Sequence, residues 1–163
     1  MFIVDTNIWL ELLLGQENTE QTIAMNENSM AGLIDSSIII RRETEKSSPI
    51  TPLATGNLRA SWFVVTAFER PPQDPYSGRF KGEDKGEMSS EHASTKSKYG
   101  SEAKASPIPF LIMGYSANYA VYVHENVEHF FKRPQSGPKW FQLALQDNAK
   151  NIIKVIGKKT KIK

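Results

Sequence analysis

The hydrophobic positions in the first third of the chain repeat at the spacing of an α-helix. Between Asn18 and Lys46, related positions recur at intervals of three, four and seven residues, namely Ile23, Met30, Leu33, Ile34, Ser37, Ile38 and Arg41. This spacing places side chains on one face of a helix. It predicts a long helix that starts near Asn18 or Thr19 and ends near Lys46.

Two later stretches have the composition of β-strands. Trp62 to Arg70 is rich in aromatic and β-branched residues, and apolar residues return between Ser106 and Ser116 after a long polar interval. Such composition favours strands, and we predict that the two stretches pair with each other. The stretch from Asn118 to Val127 fits a helical turn or a short strand equally well.

A second helical stripe lies near the C-terminal end of the chain. Pro138 suits the first position of a helix and Gly157 its end, and the stripe consists of Phe141, Leu145, Ala149, Ile152 and Ile156. The order helix, strand, polar interval, strand, helix predicts an α+β fold in a single domain, residues 1–163. In this fold an antiparallel sheet is covered on one face by the long N-terminal helix and the C-terminal helix.

The polar interval from Pro71 to Ser106 has a composition of its own. It contains six basic and six acidic residues, and its large apolar residues are few, namely Tyr76, Phe80, Met88 and Tyr99. Burial of so few apolar side chains does not offset the entropy cost of ordering the segment. The sequence therefore predicts a long flexible loop insertion, residues 71–106, between the two central strands.

The overall composition narrows the chemistry. The 163 residues include no cysteine, so disulfides and thiolate metal sites are excluded. The net charge of +2 does not by itself indicate a nucleic-acid partner. No apolar run approaches the roughly 18 residues of a membrane span, and no basic region precedes the first apolar stretch. We therefore expect no membrane contact and no signal peptide.

The opening stretch MFIVDTNIWLELLLGQ raises the question of a metal site at Asp5. An aspartate between an apolar run and a helix is similar to the start of the PIN family of Mg²⁺-dependent ribonucleases. Such a site needs several carboxylates that converge on the ion, and the later acids do not fall where that family needs them. We expect Asp5 and Thr6 to cap a helix instead, and a PIN-like ribonuclease is kept as an alternative function.

The stretch HENVEH invites comparison with zinc motifs, but its spacing does not fit them. His124 and His129 are five residues apart, and at about 100° per residue they lie roughly 140° apart around a helix. Because a regular helix cannot bring both to one ion, we expect no metal, no catalytic site and no cofactor here. The ordinary interpretation is a set of polar surface residues after a buried YAVYV stretch.

The C-terminal end is locally basic. Its last 14 residues contain six lysines and no acid, and residues 157–163 form a basic tail. Four lysines there are candidates for contact with DNA, whose phosphates attract such charges: Lys158, Lys159, Lys161 and Lys163. The plainer interpretation is a solvated end that complements the helix dipole. A basic DNA-binding accessory protein is a second alternative function.

Three stretches of the chain together resemble a known family. TPLATGNLRASW (Thr51 to Trp62) resembles the P-(V/L)-x-TG-x-LR-x-S signature of small neck and tail-completion proteins of tailed bacteriophages. NYAVYVHENV resembles the YA-x-YVE-x-G stretch of that family, and GPKWFQLALQDNAKNIIKVI is similar to its closing helix. The order and spacing also fit, and IVDTN resembles the family's usual start. The chain departs from the family after YV, where it has His124, Glu125 and Asn126 in place of the usual glutamate and glycine.

The signature has a physical interpretation of its own. Thr55 can cap a short turn, and Gly56 allows an unusual backbone angle. Leu58 and Trp62 can anchor the turn to the core, and Arg59 can pair with a carboxylate of its own chain or of a neighbour. The candidate signature and interface residues are Thr55, Gly56, Leu58, Arg59, Trp62, Tyr119, Tyr122, His124 and Glu125.

The resemblance implies a structural virion protein rather than an enzyme, made in the host cytoplasm and located at the neck of the virion. Members of that family form rings, commonly hexameric, at the neck of the virion, between the portal–adaptor (connector) proteins and the tail tube or tail terminator. Genomic DNA passes through the lumen of such a ring. The partners implied are thus other copies of the chain and the adjacent neck and tail proteins. A loop at residues 71–106 that becomes ordered on assembly would then contact a neighbouring subunit.

Overall fold

The computed structural model describes residues 19–68, 71–128 and 130–160, with side chains described from residue 26 onward. Within these ranges the regular elements are α1 Thr19–Lys46, α2 Asn57–Ala60, β1 Trp62–Thr66, α3 Lys85–Lys104, β2 Leu111–Tyr115, α4 Ala120–Glu125 and α5 Trp140–Thr160. The α+β class predicted from the sequence is confirmed. None of the described helices is long and apolar enough to cross a bilayer.

The two strands pair as predicted, although both are shorter than the sequence suggested. They run antiparallel, with Trp62 opposite Tyr115 and Thr66 opposite Leu111. Hydrogen bonds outside the two strands extend the ladder at both ends. At one end, Ser116 donates its N–H to the carbonyl of Ser61 at 2.8 Å. Among the described residues the sheet has these two strands only.

The first face of the sheet packs against α1 and α5 and forms the main core. Strand positions alternate between faces, so Trp62 and Val64 share this face with Met113 and Tyr115. The buried residues that the helices and the turn before β1 contribute include Met30, Leu33, Ile34, Ile40, Leu58, Trp140 and Phe141. The two helices predicted to cover the sheet therefore do so. Ile38, expected on the buried face of α1, is exposed.

Small residues allow α1 and α5 to approach closely. A Cβ atom added to Gly32 on α1 would lie 2.9 Å from the Cα of Ile156 on α5. One turn earlier on α1, the hydroxyl of Ser29 lies 3.5 Å from that of Thr160. The backbones of the two helices thus meet directly at Gly32, without an intervening side chain.

The segment from 71 to 106 differs most from the prediction of a flexible loop. It contains the 20-residue helix α3, which covers the second face of the sheet. Tyr99 and Ala103 of α3 pack there against Phe63, Val65 and Ile112. The expectation that helices cover one face only was therefore wrong, because the sheet is covered on both faces.

Candidate functional site

The signature stretch forms the turn that leads into β1. Gly56 has the left-handed backbone angle φ of 91° and occupies the N-cap position of α2, which fits the prediction from the sequence. The hydroxyl of Thr55 accepts the N–H of Asn57 at 3.3 Å, so Thr55 acts one residue before the cap. Leu58 and Trp62 are both buried, as predicted.

Trp62 belongs to an aromatic cluster at the centre of the core. Its ring centroid lies 5.3 Å from that of Tyr115 and 5.9 Å from that of Phe141, both with edge-to-face geometry. Trp140 contacts Tyr115 at 5.9 Å. Such aromatic pairs contribute about 0.5–1.5 kcal/mol each beyond the area they bury. The cluster therefore fixes β1 and β2 against the start of α5.

His124 also belongs to this cluster, contrary to the expectation of a surface residue. Its side chain is fully buried, with its ring centroid 4.8 Å from that of Trp140. The N–H of Gln142 points at its Nε2 at 3.4 Å, and its Nδ1 lies 2.7 Å from Oε1 of Glu125. Because Nε2 accepts, the proton of the neutral ring resides on Nδ1 and is donated to Glu125. Burial lowers the pKa of His124, which favours this neutral form.

The aromatic residues of α4 are oriented the opposite way to the prediction. The YAVYV stretch was expected to be buried, yet Tyr122 is 66% exposed and Tyr119 and Val121 are also exposed. The exposure continues after the helix at Val127 and at Phe130, which is 84% exposed. We call these five residues the 119–130 patch. Several exposed apolar side chains within one short stretch are suited to protein contacts.

Arg59 of the signature pairs with a carboxylate of its own chain. Its Nε lies 2.9 Å from Oε2 of Glu45 on α1, and its guanidinium stacks 3.6 Å from the ring centroid of Tyr76. Glu45 is shared with Arg41, whose Nη1 donates to Oε1 at 2.7 Å. Arg41 also donates from Nε to Asp74 at 2.6 Å. This Arg41 network ties α1 to α2 and to the segment after β1.

The two carboxylates of the Arg41 network have pKa shifts of opposite sign. Burial raises the pKa of Glu45 and outweighs the attraction of Arg41 and Arg59. Burial also acts to raise the pKa of Asp74, but the hydrogen bond and charge of Arg41 hold it below its usual range. The backbone N–H groups of Tyr76 and Ser77 add to the stabilisation of the Asp74 carboxylate.

His92 lies at the floor of a groove of about 610 Å³ between β1 and α3. Its Nε2 is 3.1 Å from the hydroxyl of Ser77 and its Nδ1 is 2.8 Å from the hydroxyl of Ser116. Burial, with a smaller effect from nearby Lys96, lowers the pKa of His92 to about 4. Sequence reasoning did not single out His92, because nothing in the residues around it indicated that α3 would pack on the sheet.

The remaining candidates fall into two groups. Lys158 and Lys159 lie in the last turn of α5, and Nζ of Lys159 is 3.2 Å from the carboxylate of Asp35. Asp5, His129, Lys161 and Lys163 lie outside the described residues. Among residues 19–68, 71–128 and 130–160, no three His, Asp or Glu side chains converge as metal ligands.

The fold brings together buried residues of the three stretches TPLATGNLRASW, NYAVYVHENV and GPKWFQLALQDNAKNIIKVI. It leaves two surfaces open to solvent. The buried part is the aromatic cluster, with the Arg41 network beside it. The open surfaces are the 119–130 patch and the groove beside β1. Comparison with known protein families, with characterised proteins and with solved structures finds no match to this chain.

Proposed function

We propose that this chain is a structural protein of the bacteriophage head-to-tail junction. In this role it forms a neck or tail-completion ring, commonly of six copies, that joins the portal–adaptor complex to the tail, and DNA passes through the lumen. Its partners are other copies of itself, the connector proteins on the head side, and the tail tube or terminator on the other. The protein acts in the virion and by binding, not by catalysis.

One observation carries this proposal. The three stretches that resemble the phage family are far apart in the sequence, yet each contributes to the same aromatic cluster. Trp62 comes from the signature, His124 from the NYAVYVHENV stretch, and Trp140 and Phe141 from the closing helix. Their meeting supports treating the three as one structural unit.

The distribution of exposed residues also supports a binding role. The Tyr122 side chain of the second stretch faces outward, while His124 of the same stretch holds α4 against α5. The helix α4 is thus packed against α5 and presents apolar side chains to solvent. An exposed apolar surface is what a subunit of a stable assembly offers to its neighbour.

Deletion of the gene from its phage tests this proposal. Cells infected by the deleted phage should accumulate DNA-filled heads and free tails, and the wild-type chain supplied in trans should restore joined particles, counted by negative-stain microscopy. The Asp5→Asn variant is the informative control, because the ribonuclease alternative requires that carboxylate. It should restore particles as well as the wild type. Normal particles from the deleted phage would contradict the proposal.

A further inference from the structure

The edge of β1 that faces away from β2 is open to the groove at Val64. The main-chain groups of Ser61 and Ala67 form hydrogen bonds with residues that flank β2. Along an antiparallel strand, every second residue makes such bonds to the same partner strand. The N–H and C=O of Val64 therefore point away from β2. The carbonyl of Trp62 points the same way and accepts the hydroxyl of Ser77 at 2.8 Å. An extended segment can add to an edge of this kind by main-chain hydrogen bonds.

The groove beside this edge combines positive charge with apolar surface. Lys96, Gly100 and Lys104 line it from α3, and a spacing of four residues places them in one row on the helix. The absence of a side chain at Gly100 leaves the middle of the row open. Phe68 also lines the groove and is 52% exposed. The groove thus suits an extended segment with a carboxylate and a neighbouring aromatic side chain.

The chain itself carries such side chains in a turn after α4. The irregular stretch after α4 presents Val127, Glu128 and Phe130 to solvent. The patch from which it leads lies beside a separate groove, which Val121 lines with Tyr115 of β2. Two complementary surfaces at separate grooves favour contact between two copies over contact within one.

We propose that the segment with Val127, Glu128 and Phe130 of one copy docks along the open edge of β1 in the next copy. Phe130 packs against Phe68, and Glu128 pairs with the lysine row of α3. The contact joins two different surfaces, so it repeats from copy to copy and closes into a ring when the rotation between copies permits. The choice of a second copy as partner rests in part on the proposed function.

Disulfide trapping tests this contact cleanly, because the chain has no cysteine of its own. Two double variants of the full chain, Lys96→Cys/Glu128→Cys and Lys104→Cys/Glu128→Cys, are purified and oxidised. At least one should give a ladder of covalently linked chains on a non-reducing gel, since a disulfide needs Cα atoms within about 7 Å. The control pair Lys85→Cys/Glu128→Cys should stay monomeric, because Lys85 is exposed on α3 outside the groove.

An equimolar mixture of the single variants shows whether the link joins two different surfaces of two copies. Lys96→Cys or Lys104→Cys mixed with Glu128→Cys should give linked dimers and nothing longer, because each chain then contributes one cysteine. Monomers alone from both double variants would overturn the proposal, as would a ladder of equal strength from the control pair.

A charge exchange gives an independent readout by sedimentation of the full chain. Lys96→Glu/Lys104→Glu should weaken self-association at least about tenfold, and adding Glu128→Lys should recover most of it. Phe130→Ser should also weaken self-association, and Ile153→Ser is its matched control that should not, because Ile153 is an exposed apolar residue on α5. Association that is unchanged by the lysine variant would count against the contact.

The result is separable from the proposed function. Particles that contain the chain but give no interchain link would remove this contact and leave the neck role intact. A ladder from a chain that is absent from particles would support the contact and remove the neck role.

Discussion

At the scale of single residues, Arg41 has an unusual position for a charged side chain. It is almost completely buried between Glu45 and Asp74, and its guanidinium lies 5.3 Å from the ring centroid of Trp62. The cost of burying this charge is offset only while both carboxylates are in place. Arg41 therefore links the polar network to the aromatic cluster.

Replacement of Arg41 should show this dependence. We expect Arg41→Met to lower the free energy of unfolding by about 3 kcal/mol, because Asp74 is left partly buried without its cation. The adjacent variant Arg42→Met is the control, since Arg42 is exposed and pairs with Glu43 at the surface. It should change stability by less than about 1 kcal/mol. Urea denaturation at pH 7 measures both, and equal effects would contradict the role given to Arg41.

His92 should make stability depend on pH. Its pKa is about 4 in the folded chain, below the ordinary 6.5, so the unfolded chain binds a proton first as pH falls. The stabilisation is present above about pH 6.5 and is lost progressively toward pH 4, at up to roughly 1.4 kcal/mol per pH unit. His92→Gln keeps polar atoms near Ser77 and Ser116 but cannot titrate. Urea midpoints between pH 7 and pH 5 should fall less steeply for this variant, and parallel curves would refute the assignment.

At the scale of elements, the sequence predicted the parts that have a clear period. The spacing in α1 and the stripe in α5 gave both helices, and the composition of β1 and β2 gave the strands and their pairing. The helix α5 starts at Trp140, two residues after Pro138, because Lys139 has a positive φ of 59°. These elements are predictable because their burial is regular.

The helix α3 was missed because its burial is sparse. It contacts the sheet through a few residues such as Tyr99 and Ala103, and the rest of its surface is polar. A signal was present in β1 instead. Its residues Phe63 and Val65 are as apolar as their neighbours Trp62 and Val64, and a strand that is apolar on both faces needs cover on both. The same lack of alternation in YAVYV explains why the exposed side of α4 could not be predicted.

The contact between α1 and α5 provides a test at this scale. Gly32→Ala should destabilise the fold by about 1–3 kcal/mol, because the new methyl group meets the backbone of Ile156 and the helices must separate. Gly157→Ala is the matched control in α5, where an added Cβ meets nothing within 4 Å. It should stabilise by about 0.5–1 kcal/mol through helix propensity. Thermal unfolding compares the two, and a neutral Gly32→Ala would show that the helices are not in backbone contact.

At the scale of the whole molecule, the segment from 71 to 106 has a different role from the one expected of a flexible loop. As a flexible loop it could have been removed without harm to the fold. As the cover of the second face it protects Phe63, Val65 and Ile112 from water. Any assembly contact it makes must then come from the exposed side of α3 or from the groove, while the helix stays in place.

The central claim is that the chain is one subunit of a ring at the neck of a phage. Electron cryomicroscopy of the particles that contain it tests this claim most directly, by giving its position and symmetry together. The account predicts a ring, with six-fold symmetry, between the base of the portal and the tail. A discrete monomer or dimer outside any virion, with a metal ion bound at Asp5, would contradict it and favour the ribonuclease.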